Sequence, residues 1–263
     1  MNDDFGQLFE KGRLALEQEL VDQAVQILTR AVAANPASAE AQRLLGEALI
    51  EQGTTQKAID VLGQARKLAP DNNEILFLLG DALFEAHQVN AALDVYQTII
   101  DQDSTDADAW VSVGLVHFNQ NRLEQALECY QKALRHEPES VFALNSLGDV
   151  QYAMGSFEAA VTSYRQALAL DPDDPQGHYN LAEICYDTGD LEVAEKECRK
   201  ALQLDPQFSF AYLTLGNICL DNEAPKAALQ AFEMFLKLEA SAAAGEILDE
   251  VKAVVAGLRD ELK

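Results

Sequence analysis

Apolar positions along this chain recur at two periods at once. Locally they fall at steps of three and four, the spacing of an amphipathic helix. Over a longer range the same small residues return every 34 positions. One ladder is Ala24, Ala58, Ala92, Ala126, Ala160, Ala194 and Ala228; a second, in phase with it, is Gly12, Gly46, Gly80, Gly114, Gly148, Ala182 and Gly216. The copy from Ala107 to Ser140 shows how each unit is built. Its first half, Asp108 to Asn119, carries Trp110, Val113, Val116 and Phe118, with Gly114 among them. A turn follows at Asn119-Gln120-Asn121-Arg122, and the second half sets Leu123, Ala126, Leu127, Tyr130, Ala133 and Leu134 on one helical face. Pro138 closes that helix, because a proline just past the last turn cannot continue it. No stretch sustains the two-residue alternation of a strand. The pattern predicts an all-α chain of helix–turn–helix copies, each packed only on its neighbours.

The small residues predict the geometry inside a copy. Gly114 and Ala126 are expected to let the two helices approach closely, and a larger side chain at either place costs ~1–3 kcal/mol of overpacking. Ala133 is expected to do the same toward the next copy. Asp4 followed by Gln7 reads as a capping-box start within an N-terminal cap, 1–4. Uninterrupted copies then occupy 5–38, 39–72, 73–106, 107–140, 141–174, 175–208 and 209–242. Beyond them, in 243–263, Ile247, Val251, Val254, Leu258 and Leu262 repeat at three and four. That segment reads as an amphipathic helix covering the last copy's apolar edge; the alternative is a helix for homo-oligomerisation.

Composition narrows the partners. With 44 acidic and 19 basic residues the formal net charge is −25, which disfavours nucleic acid and anionic membrane surfaces. The charge serves solubility and is compatible with a basic partner. The N-terminus shows no signal-peptide pattern, and no run approaches the ~20 apolar residues of a membrane span. Cys129, Cys185, Cys198 and Cys219 form no Cys-x-x-Cys pair, so free thiols in a reducing cytoplasm are expected.

The period and its signature residues resemble the tetratricopeptide repeat. That family's aromatic, Leu-Gly, Tyr, Ala, Phe or Tyr, Ala and Pro fall here on Trp110, Val113-Gly114, His117, Ala126, Tyr130, Ala133 and Pro138. The next copy shows Leu147-Gly148, Ala160, Tyr164, Ala167 and Pro172. Departures are mild: Ala182 stands for the glycine and Cys198 for the aromatic, while Ser104 and Ala240 replace the terminal proline. The resemblance implies an α-solenoid, a right-handed superhelix of seven repeats with a C-terminal capping helix, whose first helices line a concave groove. It also implies a non-catalytic scaffold or adaptor for a protein or peptide. A self-assembling scaffold using the C-terminal helix, on an organelle or a secretion or pilus machinery, is the alternative.

By that resemblance, three tracks on the first helices face the groove. One includes Phe77, Asn145 and Tyr179; another includes Asp81, Asp149 and Glu183; the third includes Phe84, Phe118, Tyr152 and Tyr186. The expected groove is aromatic and acidic, suited to apolar anchors flanked by basic residues. The competing reading is that these rings pack against neighbouring copies. Family members that grip the C-terminal carboxylate of molecular chaperones use lysine, asparagine and arginine; Glu47, Asp81 and Asp149 at the corresponding places would repel it.

Catalytic and metal chemistry finds no footing. His178 and Cys185 lie two turns apart, ~10 Å, too far for a dyad, and are expected to pack. Asp101 to Asp106 lacks the glycine and glutamate of a calcium loop, and His87, His117, His136 and His178 show no zinc spacing. No catalytic residue, cofactor or metal is expected.

Overall fold

The computed structural model describes residues 4–239 and 245–263. Residues 1–3 of the expected cap, the end of the last expected copy with Ala240, and residues 243–244 lie outside the described residues. Among the described residues there are fifteen helices and no strand. They gather into two compact units, Met1–Glu137 and Pro138–Lys263.

The first unit runs α1 (Phe5–Glu17), α2 (Val21–Ala34), α3 (Ala39–Glu51), α4 (Thr55–Leu68), α5 (Asn73–Glu85), α6 (Val89–Gln102), α7 (Ala107–Asn119) and α8 (Leu123–His136). The second runs α9 (Val141–Ala153), α10 (Phe157–Leu170), α11 (Pro175–Asp187), α12 (Leu191–Leu204), α13 (Ser209–Asp221), α14 (Pro225–Leu238) and α15 (Gly245–Glu261). Within each unit every helix packs on the next. Leu28, Leu62, Leu76, Tyr96 and Ile99 lie at the centre of the first core, and Tyr164, Cys198, Ile218, Phe232 and Phe235 at the centre of the second.

Local chemistry sets the helix ends. The side chains of Ser38, Asn72, Asp106, Ser140 and Asp174 each accept a backbone N–H at the start of an odd-numbered helix, satisfying donors that no helix can pair internally. Asp4 corrects the capping-box expectation. It holds the N-cap place, but its side chain caps nothing, and its backbone carbonyl takes the Gln7 and Leu8 N–H groups instead. The odd helices also end alike. Glu19, Gly53, His87, Asn121, Gly155, Gly189 and Glu223 all have positive φ. In each case the following N–H reaches back five residues, as in Thr54 to the Leu49 carbonyl at 2.9 Å. This is the left-handed C-terminal cap, and only three of its seven places carry the glycine it favours.

The glycine ladder keeps the paired helices close, and the contact that requires it is with one side chain of the second helix. A Cβ at Gly114 would meet the Tyr130 ring, at 2.5 Å; at Gly46 it would meet Leu62, also at 2.5 Å. The large side chain sixteen positions on occupies the space beside the glycine, so a methyl group and that side chain cannot share it. The one described exception supports this: Ala182 faces a position where Cys198 has replaced the ring, and both are fully buried.

A polar detail joins consecutive copies. Gln42 Nε2, Trp110 Nε1 and His178 Nε2 stand at the same place in their helices, each on the carbonyl six residues earlier, of Pro36, Ser104 and Pro172, at 2.8, 3.0 and 3.0 Å. His178 is also held at Nδ1 by Glu197 of α12, at 2.6 Å. It is therefore buried as expected, but within a polar pair rather than apolar packing. In α15 the buried residues are Val251, Val255 and Leu258, against α14. Val254, expected in that stripe, is 38% exposed because the partner helix lies on the Val255 side.

Candidate functional site

Residues at steps of three and four share one helix face, and on α9 that rule joins Phe142, Asn145, Asp149 and Tyr152. The opposite face of α9 buries Ala143, Leu144, Ser146, Gly148 and Val150 in the second core. The same register on α11 gives Tyr179, Glu183 and Tyr186, all half-buried.

In the second unit these faces are tied together. Asn145 Nδ2 reaches Asp174 at 3.3 Å, and Asn180 Nδ2 of α11 reaches Asp149 at 3.4 Å. The Tyr152 hydroxyl donates to Asp187. Tyr164 donates to Asp149 at 2.7 Å, and Tyr179 to Glu183 at 3.0 Å. Asp149, Glu183 and Asp187 thus each take a neutral hydroxyl donor. None of Asp149, Glu183 or Asp187 has an ion-pair partner among the described residues.

Electrostatics follows from that arrangement. Loss of solvent raises the Asp149 carboxyl above the ordinary carboxylate range, with the Tyr164 bond opposing. Loss of solvent also raises Glu183; the Tyr179 bond opposes it, and the charges of Asp187 and Asp149 add to the rise. Tyr152 is pushed up by its bond to Asp187 and then by burial, and Tyr186 by burial and Asp221. An uncompensated, partly desolvated cluster of negative charge is stabilised by any cation that enters it.

The first unit is simpler. Phe77 and Phe84 are half-buried against the core, with Phe77 ringed to Tyr96 at 6.4 Å between centroids. Phe118 is half-buried. Asp81 is solvent-exposed, and its Oδ1 accepts from the Tyr96 hydroxyl at 2.5 Å. Its carboxyl is raised by the protein crowded round it, with the Tyr96 bond opposing. The structure therefore brings together Asn145, Asp149, Tyr152, Tyr179, Glu183 and Tyr186 in one unit and Phe77, Asp81 and Phe84 in the other. Sequence reasoning passed over Phe142, which is 58% exposed. Its signal was position: three residues before Asn145 on the same stripe, on a helix whose other apolar residues face the core.

Burial also raises the thiols, Cys129 to about 11 and Cys198 to about 12, so they are poor nucleophiles. Among the described residues no group of three or more His, Cys, Asp or Glu is placed to hold a metal ion, and no helix is long and apolar enough to cross a membrane.

Paired antiparallel helices repeating at this step, with a small residue under each ring, define the tetratricopeptide fold, an all-α solenoid class built for protein interaction. Residues 8–207 match the family described as the cilia and flagella-associated protein 70 C-terminal domain, and the chain belongs to that tetratricopeptide-repeat family. No curated protein matches it. Among solved structures, a tetratricopeptide repeat protein from Parabacteroides merdae is 19% identical, covering 96% of this chain and 98% of that one, with a TM-score of 0.76. A structure of MamA is 25% identical over 65% of this chain and 94% of its own, with a TM-score of 0.58. YrrB, described as a TPR protein with an unusual peptide-binding site, is 18% identical over 72% of this chain and 97% of its own, with a TM-score of 0.56.

Proposed function

We propose that this protein is a non-catalytic scaffold that holds a peptide or protein segment on the faces of its odd-numbered helices. The segment supplies apolar anchors and basic flanks. The observation that carries this reading is the set of half-buried carboxylates, Asp149 and Glu183 foremost, held by tyrosine hydroxyls with no cation beside them. Holding such charges is unfavourable to the free protein and becomes favourable once a lysine or arginine arrives. Tyr152 and Tyr186 offer ring faces beside them, and Phe77, Phe84 and Phe118 offer apolar contact in the first unit. MamA and YrrB share the fold, and the peptide-binding site in YrrB's description is consistent with this use.

Self-assembly through α15 is less well supported. Val251, Val255 and Leu258 are already buried within their own unit, and Arg259 is paired with Glu233 at 2.6 Å. Residues 245–263 carry five acidic and three basic side chains, a poor complement to an acidic face. A cytoplasmic setting fits the four free cysteines.

The test is capture of the partner from the source cell, followed by titration against Asp81→Asn, Asp149→Asn and Glu183→Asn combined. Weaker binding with a flattened salt dependence and unchanged helix content is expected. Unchanged affinity moves the docking surface to the even-numbered helices or an edge.

A further inference from the structure

The carboxylates of the proposed docking face stand on odd-numbered helices, yet two of them are held from even-numbered ones. Aspartate follows the ladder glycine in two copies, at Gly80-Asp81 and Gly148-Asp149. In both, the side chain sixteen positions after the glycine is a tyrosine, Tyr96 or Tyr164. Elsewhere the same two places combine differently: Glu47 with Leu62, Leu115 with Tyr130, Glu183 with Cys198, and Asn217 with Phe232.

The glycine explains how a buried ring can serve that face. Tyr96 is 2% exposed and Tyr164 3%. A Cβ at Gly80 would lie 2.7 Å from Tyr96 Cζ, and one at Gly148 would lie 2.8 Å from Tyr164 Cζ. The carbon that bears the hydroxyl therefore passes beside bare glycine backbone, and its oxygen arrives at the next residue. There the Tyr96 hydroxyl donates to Asp81 Oδ1 at 2.5 Å, and the Tyr164 hydroxyl to Asp149 Oδ1 at 2.7 Å. Asn180 Nδ2 reaches the same oxygen of Asp149 at 3.4 Å. Among the described residues no donor reaches Oδ2 of either aspartate. One oxygen is clamped by the chain itself and the other is open.

We infer that Tyr96 and Tyr164 are positioning residues of the docking face: each fixes one oxygen of its aspartate and leaves the second to a lysine or arginine of the bound segment. This inference rests on the groove reading above and adds to it the groups, on the second helix of a copy, that prepare its charges. A carboxylate already held in one orientation loses less freedom on binding, and a hydroxyl donor favours its ionised form. Glu183 of α11 and Tyr152 of α9 are the other ionisable groups whose charges reach the Tyr164–Asp149 pair. The Ser112 hydroxyl of α7 also meets Tyr96.

Tyr96→Phe and Tyr164→Phe test this without altering net charge or removing a ring. The probe is a fluorescein-labelled peptide of leucines flanked on both sides by lysines, bound to the full chain and read by anisotropy across a range of pH. Carboxyl-carbon NMR of the free chain, labelled at aspartate and assigned with Asp81→Asn and Asp149→Asn, follows the two carboxyls directly. Each tyrosine substitution should move its own aspartate's midpoint to higher pH and leave the other's in place. The double tyrosine variant should bind the peptide about three- to tenfold more weakly at neutral pH. It should also lose the peptide at a higher pH than the parent, because a carboxyl without its hydroxyl donor keeps its proton to higher pH. Midpoints that stay where they are, with only the urea midpoint lowered, reduce the hydroxyls to a packing role and overturn the inference. Binding that the two aspartate substitutions weaken and the tyrosine substitutions do not also overturns it, and leaves the groove reading intact. Indifference of the peptide to all four substitutions, with the aspartate midpoints still displaced, overturns the groove reading and the docking role with it.

Discussion

Replacing Gly216 by alanine tests what spaces the paired helices. A Cβ there would lie 2.6 Å from Phe232 Cδ1 and 2.8 Å from Cζ, about 1 Å inside the ordinary 3.5–4.0 Å carbon contact. Phe232 is 1% exposed and has no room to swing away. The helices must part or the ring must leave its rotamer, at a cost of about 1–3 kcal/mol. Phe232→Cys alone should cost about 3 kcal/mol or more, since it empties a buried ring. The two together should cost less than their sum by about 1–3 kcal/mol, because the methyl group enters space the ring has left. The chain already contains the product of that exchange in Ala182 and Cys198. Urea unfolding of the full chain, followed by far-UV circular dichroism and fitted with nearest-neighbour coupling between copies, gives the four values. Costs that add to within about 0.5 kcal/mol would mean the ring and the glycine do not compete for space, and the explanation of the ladder would fail.

Other outcomes can be measured in the same way. His87 and Glu223 sit at φ 58° and 54°, where a side chain costs roughly 1 kcal/mol or more against glycine; His87→Gly and Glu223→Gly should each raise the urea midpoint, while Gly53→Val should lower it. Both ring nitrogens of His178 face acceptors, Glu197 and the Pro172 carbonyl, so Glu197→Leu, which leaves a buried ring nitrogen without its partner, should cost about 1–3 kcal/mol; the double change His178→Leu with Glu197→Leu should cost less than that single one. Glu183 has its folded carboxyl raised, so the folded state binds more protons than the unfolded one above the unfolded carboxylate value and stability falls as pH rises through that range. Glu183→Gln should therefore match or exceed the parent in stability at neutral pH. Its advantage should vanish once acid protonates the glutamate in both states, which chemical denaturation at stepped pH values reads directly.

The fold was readable because its signal is redundant. The same helix pair is written repeatedly in one register, and the first half proposed as Asp108 to Asn119 lies in the helix Ala107–Asn119. What escaped the sequence is what physical contact defines without fixing residue type. The left-handed cap is filled by Glu, Gly, His and Asn at different copies, so no single residue type marks its step. The glycine's partner lies on another helix, sixteen residues on, where Leu, Tyr and Phe all serve. Val254 and Val255 both continue a helical stripe from Val251, and only the position of α14 decides between them. The candidate site divides similarly. Spacing put Asp149 with Tyr152 on one face of α9 and Tyr179 with Glu183 on one face of α11; that these faces line a groove came from the resemblance to the repeat family. Their hydroxyl–carboxylate pairing and Phe142's exposure needed three dimensions.

Amide hydrogen exchange on the full chain with its captured partner bound tests most directly whether the odd-numbered helices are the docking face. Exchange should slow in α9 and α11, and in α5, relative to the free protein, because a bound segment suppresses local opening beneath it. Protection confined to α10, α12 and α14, with α9 and α11 unchanged, would place the partner on the opposite side and contradict the proposed function.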